Sequence, residues 1–469
     1  MNGKSPKPTY DELVALVERL NARIAELETQ LAAAKKTSRN SSKPPSSDIV
    51  KPPADPHKPG RKGKRRIGGQ KGHLKHDSKL NLDQADYIVE FKDESFVDRR
   101  NLIPAPDAKP KIIFQYELVE KPVELTAYIA YPYLDRTTGQ IVYPPFPRVV
   151  EMAGLLGPRL TALAACLKGG LHASYSGARS LLGFLGADVC RATLCNKLKK
   201  MAAALSFSYD QLLTALTDES YLNIDESGHS DKPFDKPADH PKHWIWVFAA
   251  TAFTVFRIFG SRSTDALREV LGANCEAIIG SDFYSSYKCF MKEARIKVQF
   301  CWAHLIRDIK FLGESTDKTT ANYGNRLLKL CRLIFHLQHR RVELGEDLFR
   351  RKMTQVKEKF LATGRRSQAT GAQDMVTRLK DFGEEYFLFL ENPQIEPTNN
   401  LAEREIRHCV IDRRITQGTR GKSGQRWCER IWTVMATCAR QRRDAFAFVA
   451  ESIRTYYAGE LQPSLLPNK

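Results

Sequence analysis

The spacing of apolar residues changes along the chain. In 9–35 it is helical: Leu13, Val17, Leu20, Ile24, Leu27 and Leu31 are separated alternately by four and three residues. That is a heptad seam, with Val17 and Ile24 at a and Leu13, Leu20 and Leu27 at d. β-branched residues at a with leucine at d favour a parallel two-stranded coil, so 1–35 is expected to be a dimerising coiled-coil helix. Three heptads are marginal alone, and a helix packed on its own protein is the competing reading. From 82 to 150 the period is two. YIVEF, KIIFQYELVE, VELTAYIAYPYL and QIVYPPF alternate apolar and polar residues between turn signals, which predicts a small β module over 77–150.

Helical spacing returns over 151–215 in GPRLTALAACLKGGL, SYSGARSLLGFLG and CRATLCNKLKKMAAALSFSYDQLLTAL. GADVCRATLCNKLKKM fits the turn and second helix of a helix-turn-helix unit, or a plain helical connector. Over 216–304 the runs YLNIDESG, HWIWVFAAT, FTVFRIFG, CEAIIGSD and VQFCWAH read as strands, with TDALREVLG and SSYKCFMKEARI as helices. The predicted order is β-β-β-α-β-α-β, a mixed α/β unit. Residues 305–392 are almost wholly helical in pattern. The last segment, 393–469, holds an amphipathic helix after the capping residues Thr398, Asn399 and Asn400, and a closing helix in DAFAFVAESIRTYYAG. The fold class is multidomain α/β.

Composition changes this picture at 36–76. The stretch is rich in Pro, Gly and Ser, and between Lys43 and Lys75 it carries ten Lys/Arg against Asp48 and Asp55. It cannot bury a core, so a disordered basic arm is expected. Lys58, Arg61, Lys62, Lys64, Arg65, Arg66, Lys71 and Lys75 have the charge to neutralise several phosphates, each steepening the salt dependence of binding by roughly 0.9 in log–log slope. The alternative is a solubilising linker. The whole chain of 469 residues carries a net charge of +19, which points first to nucleic acid and only then to an anionic membrane. No apolar run approaches the roughly 20 residues that span a bilayer. MNGKSPKPTYDELV has no apolar h-region, so no secretory signal is expected. The ten cysteines are scattered from Cys166 onward, a pattern of reduced thiols rather than a disulfide framework.

The candidate chemistry lies in three carboxylates. Asp225 is read at the end of the strand YLNI and Asp282 at the end of EAIIG, common places for sites in α/β sheets. Glu403 sits in the helix after 398–400, followed by Arg404, Arg407, Arg413, Arg414, Arg420, Lys422, Arg426 and Arg430. Three clustered carboxylates repel one another, and bound cations relieve that repulsion. Mg²⁺ takes one or two carboxylates plus water and phosphate oxygens, and a pair of such ions serves in-line displacement at phosphorus. The sequence alone does not bring the three together, and each acid singly reads as a cap, a turn former or a surface ion pair. Arg404 and Arg407 suit phosphate contacts or the bracing of Glu403, and Arg407 also suits an i, i+4 ion pair with it. Phe283, Tyr284 and Trp302 read as core, with base stacking as the alternative.

LNIDESGH, GSDFYSSY followed by FCWAH, and TNNLAEREIRHCVIDRR together resemble bacterial transposases of the insertion sequence 66 family. NSSKPPSSD at 40–48 and GRKGKRRIGGQKGH at 60–73 are similar to its N-terminal signatures, so the resemblance runs in order over nearly the whole chain. It implies that Asp225, Asp282 and Glu403 are the metal-binding acidic triad of a ribonuclease-H-like core, with 305–392 inserted before the last acid. It implies DNA cleavage to 3′-OH ends and attack of those ends on target DNA, with Mg²⁺ or Mn²⁺. The implied partners are element ends and target DNA, held by the basic arm and by Arg404, Arg407, Arg413 and Arg414. A homodimer or higher oligomer, accessory proteins of the same element and a bacterial cytoplasmic, nucleoid-associated location go with it. Cys301 and His304 resemble a Cys-x-x-His feature found after the second acid in several transposase groups, which implies a supporting role. Two features depart from the family: 77–150 has no cysteine where a zinc-binding stretch is usual, and Glu226-Ser227 stands where Glu-Thr is common. The rival readings are a non-catalytic dimeric DNA-binding protein and a metal-dependent nuclease without strand transfer.

Overall fold

Among the described residues of 82–150, most of the alternating apolar side chains are exposed. A computed structural model describes residues 9–11, 14–20, 23, 81–89, 112–113, 115, 118–232 and 242–467. The chain divides into two units, 50–126 and the remainder. In the first, the described residues hold a 3₁₀ turn, Leu82–Gln84, closed where the Asn81 N–H donates to Gln84 Oε1 at 2.9 Å. In the second, the expected strands reduce to a hairpin of β1 (Tyr133–Leu134) and β2 (Ile141–Val142). Ile129, Tyr131, Tyr133 and Ile141 are all exposed. Period-two alternation makes a stable strand only when one face is buried, and a lone hairpin is marginal. Residues 14–20 are helical, with Val17 and Leu20 exposed. The other seam positions and the whole basic arm lie outside the described residues.

Five helices follow: α1 (Arg148–Ala153), α2 (Pro158–Gly169), α3 (Tyr175–Phe184), α4 (Arg191–Met201) and α5 (Ser206–Ala215). The segment Arg148–Gly169 is apolar enough by composition to cross a membrane. It is broken, however, at Gly154, whose φ of 57° ends α1. Helix α2 buries Ala162, Ala164, Ala165 and Leu167 within the protein.

The apolar runs of 216–304 become β3 (Tyr221–Ser230), β4 (Lys242–Ala249), β5 (Thr254–Phe259), helix α6 (Thr264–Leu271), β6 (Ile278–Ser281), helix α7 (Ser285–Ala294) and β7 (Val298–Phe300). The sheet order is β5-β4-β3-β6-β7. β3–β4 and β4–β5 are antiparallel, while β3–β6 and β6–β7 are parallel. Between β7 and the Glu403 helix stand α8 (Trp302–Gly313), α9 (Lys318–His339), α10 (Arg341–Leu344), α11 (Glu346–Gly364) and α12 (Gln373–Phe382). The chain closes with α13 (Asn400–Thr416), α14 (Lys422–Gln441) and α15 (Ala445–Ala458).

Helix α14 covers the β5 edge through a match of two repeats. Glu429 Oε1, Thr433 Oγ1 and Thr437 Oγ1 accept the N–H groups of Ile258, Phe256 and Thr254 at 2.7, 3.0 and 3.2 Å. Four residues of helix rise about 6 Å and two residues of strand about 6.7 Å, so one helix face keeps step with alternate strand amides. The edge donors are satisfied and no further strand can add there.

Gly280 in β6 is fixed by its neighbours. A Cβ there would lie 2.6 Å from the Tyr221 hydroxyl and 2.7 Å from Asn223 Nδ2. Gly280→Ala is expected to destabilise the protein by about 1–3 kcal/mol through overpacking. Gly183→Ala, in α3 with open space around it, should be neutral or stabilising by up to about 1 kcal/mol. Thermal melts of the two variants check this; equal melting temperatures would contradict the packing described.

Candidate active site

Strand register accounts for the first pair of acids. β3 and β6 pair as Tyr221↔Ile278, Leu222↔Ile279 and Asn223↔Gly280. Carried two residues further, the same register leads to Asp225 in β3 and to Asp282, the residue just past the end of β6. Asp225 does not end its strand as the sequence suggested: β3 continues to Ser230 because β4 stays paired with it over Asn223–Ser230. What ends near Asp225 is the parallel neighbour β6, whose last residue is Ser281.

Asn399 brings in the third acid. It was expected to cap α13 with its side chain, but it makes no such bond. Instead its Nδ2 donates to the Ile224 carbonyl at 2.7 Å and its Oδ1 accepts from Asn223 Nδ2 at 2.9 Å. Its backbone N–H points at Cys301 Sγ at 3.2 Å. The Cys301 N–H donates to Ser281 O at 2.8 Å and the Trp302 N–H to Pro397 O at 3.0 Å. The start of α13 is therefore stapled to β3 and to the turn from β7 into α8. One turn further, the Glu403 N–H donates to Asn399 O at 3.1 Å. Helix α13 also runs longer than expected, so Arg413 and Arg414 lie within it rather than after it.

Asp225 feels the charges of Asp282 and Glu403, and Glu403 feels that of Asp282. Burial raises the Asp225 carboxyl well above its usual range, and the charges of Glu226, Asp282 and Glu403 raise it further. Burial also raises Asp282, while Arg262, a backbone bond from Tyr284 and Arg378 pull it down. Glu403 is raised by burial and by Asp282, and lowered by Arg307 and Arg407. Its Oε1 lies 3.4 Å from His304 Nδ1, and neither atom has a hydrogen-bond partner. Burial, Arg307 and Arg378 lower His304 to about 3, so its ring is neutral at ordinary pH. Cys301, His304 and Glu403 offer ligand atoms within 4.8 Å of one another. Burial pushes the Cys301 thiol up to about 11, and the thiolate is the form that binds metal.

A supporting layer escaped the sequence reading. Glu226 is buried, accepts from Arg262 Nε at 2.6 Å and is hydrogen-bonded by the Tyr287 hydroxyl. Burial and Asp282 raise it to about 7, against the pull of Arg262. Arg262 Nη2 also stands 3.9 Å from Asp282 Oδ2, and its guanidinium lies 3.5 Å from the Tyr284 ring centroid. From α12, Arg378 pairs with Asp308 at 2.9 Å and covers the Phe283 ring at 3.9 Å. Phe283 packs against Phe300, and Trp302 is fully buried against Phe360 and Phe387.

The basic residues separate into groups. Arg404, Arg407 and Arg414 are exposed on α13. Arg413 is half-buried and donates to Ser227 Oγ at 3.0 Å, tying α13 to β3. Lys58, Arg61, Lys62, Lys64, Arg65, Arg66 and Lys71 lie outside the described residues.

The donor set suits a divalent cation. Asp225 and Asp282 bring carboxylate oxygens, and Glu403 Oε1 is buried and unpartnered. Hard oxygen ligands of this kind suit Mg²⁺, Ca²⁺ or Mn²⁺. The model of the transposase IS66 family matches residues 153–426, more than half the chain, and the protein belongs to that family. A family of unknown function matches residues 7–79. A comparison with curated proteins finds no match.

Because the folded state raises the Asp225 carboxyl, it binds that proton more tightly than the unfolded chain does. Stability therefore falls as pH rises from the ordinary carboxyl value through the folded one. Asp225→Asn removes this loss. Metal-free D225N should melt a few degrees above wild type at pH 8, and the two should converge near pH 4. A variant that melts lower at pH 8 would show that the carboxylate is not under repulsion.

Proposed function

We propose that this chain is a transposase of the DDE type, with Asp225, Asp282 and Glu403 as the acidic triad of a ribonuclease-H-like core. One observation carries the reading: the β3–β6 register runs on towards Asp225 and Asp282, and Asn399, one turn before Glu403, is hydrogen-bonded into β3 beside Asp225. Membership of the transposase IS66 family supports it, as does the strand order with its β3–β6 register.

Asp225 and Asp282 would hold the divalent ions, Mg²⁺ or its substitute Mn²⁺, with Glu403 completing the set. Bound there, a pair of ions activates an attacking oxygen and stabilises the leaving one during in-line displacement at phosphorus. The protein's part is placement. Arg262, Glu226 and Tyr287 fix the back of the site so that the carboxylates keep their direction. Neutral His304 borders Glu403 without taking its charge in an ion pair. Exposed Arg404, Arg407 and Arg414 face solvent on the helix that carries Glu403, where a phosphate backbone would lie. On this reading 305–392 is the insertion before the last acid, and the basic arm adds sequence-independent affinity. The chain would work on element ends and target DNA as a dimer or higher oligomer, with accessory proteins of its element, in the bacterial cytoplasm on the nucleoid.

The test is cleavage and joining of labelled DNA that carries the element's ends, with Mg²⁺ or Mn²⁺. Asp225→Ala, Asp282→Ala and Glu403→Ala should each cut product formation by about 10³-fold or more, the loss of several kcal/mol of charge stabilisation, while DNA binding persists. Arg404→Ala and Arg407→Ala should each flatten the salt dependence of binding by about 0.9 in log–log slope. Full activity in the three acid variants would overturn the assignment. Cleavage without joining would identify a nuclease.

A further inference from the structure

A second site lies further along α13. Asp412 is nine residues beyond Glu403, about 14 Å along the axis at 1.5 Å per residue. It lines a half-open cavity of about 550 Å³ between α2, α3, α4, the second half of α13 and the start of α14. Its wall includes two aromatic rings, Tyr175 and Trp427. The Lys168 ammonium stands 5.6 Å from the first ring centroid and 5.7 Å from the second.

Two buried polar atoms on this wall have no hydrogen-bond partner: the indole N–H of Trp427, which only donates, and Asp412 Oδ1, which only accepts when ionised. Both residues are at least nine-tenths buried, Trp427 5% exposed and Asp412 3%. Lys168 Nζ stands 3.8 Å and His172 Nδ1 3.6 Å from Asp412 Oδ1, both beyond hydrogen-bond distance, and its other oxygen accepts from the Thr416 hydroxyl at 3.1 Å. What remains open is one acceptor and one donor beside aromatic surface. Orphaned buried polar atoms are rare in folded proteins and call for a partner. Exposed Arg191 and Lys199 and half-buried Arg420 also line the cavity.

We propose that this cavity binds a nucleotide, its base against Tyr175 and Trp427 and its phosphate towards Arg191, Lys199 and Arg420. A base supplies a flat face for the rings, an N–H for Asp412 and a ring nitrogen or carbonyl for the Trp427 N–H. A purely apolar ligand leaves both polar atoms unsatisfied, and a bare anion would face the Asp412 carboxylate. A base paired in a duplex has its hydrogen-bonding edge occupied and its faces stacked, so a DNA-derived occupant is an unpaired nucleotide. A free mononucleotide has the same chemistry. The DNA source rests on the function proposed above; the pocket itself does not.

The full-length protein tests this by fluorescence anisotropy with three duplexes: one with a single bulged nucleotide, one with a bulged abasic residue and one fully paired. Deoxynucleoside monophosphates serve as competitors. The bulged nucleotide is expected to bind at least ten-fold tighter than either control. Tyr175→Ala and Trp427→Phe are expected to bring that ratio within three-fold, with melting temperature and paired-duplex affinity kept. Competition by free monophosphates that both variants lose supports the same pocket with a free nucleotide as occupant. Equal binding of the bulged nucleotide and the abasic bulge, with no monophosphate competition, overturns the proposal. So does a ratio that both variants leave intact. Monophosphate binding by a chain that holds no duplex at all would sink the transposase reading and leave the pocket standing, whereas DNA cleavage without any base preference would do the reverse.

Discussion

The candidate site depends on one buried amide. Asn399 joins the carbonyl of Ile224 and the side chain of Asn223 to the first turn of α13, and its backbone is held at Cys301. Three parts of the chain far apart in sequence are thus fixed within one turn of helix from Glu403. Removing the amide would leave Asn223 Nδ2 and the Ile224 carbonyl short of a partner inside the protein, which costs about 1–3 kcal/mol per group. The β3–β6 register aligns the other two acids, since the offset of 57 residues that pairs Asn223 with Gly280 also separates Asp225 from Asp282, one residue past the end of β6.

Such an arrangement works against stability. Asp225, Glu226, Asp282 and Glu403 are all raised above their ordinary values. Arg262 offsets part of this by serving Glu226 and approaching Asp282 together. Among the described residues it makes no ion pair with Asp225, whose carboxyl is raised by burial and by three neighbouring acids. The scaffold that bears the strain is closed elsewhere: α14 satisfies the β5 edge, and Asp231 clips the turn before α14 by accepting from Thr419 Oγ1 and the Gly421 N–H at 2.6 and 2.8 Å.

Where apolar runs are buried on both faces, the sequence was readable. The strands around Ile224, Val247, Phe256, Ile279 and Val298 stand where those runs lie, because each has sheet neighbours and covering helices to bury them. The alternating residues around Ile129 and Tyr131 gave the same signal with nothing to bury against, and no strand formed there among the described residues. Glu226 entered the sequence reading only as the residue beside Asp225 in a family comparison, with no structural role. Its burial depends on Arg262 and Tyr287, 36 and 61 residues away. The role of Asn399 was hidden in the same way, its partners lying 175 and 176 residues back. A local pattern suggests a cap, and only the tertiary fold makes it a staple. Arg413 looked like its neighbours, yet its contact with Ser227 shows that charge runs do not say which member turns inward.

The central claim is that Asp225, Asp282 and Glu403 form one metal site. Anomalous diffraction from crystals of the intact protein grown with Mn²⁺ tests it most directly. The account predicts anomalous density about 2.1 Å from carboxylate oxygens of both Asp225 and Asp282, with Glu403 turned towards it. Density held by Cys301, His304 and Glu403 alone, with the two aspartates bare, would contradict it.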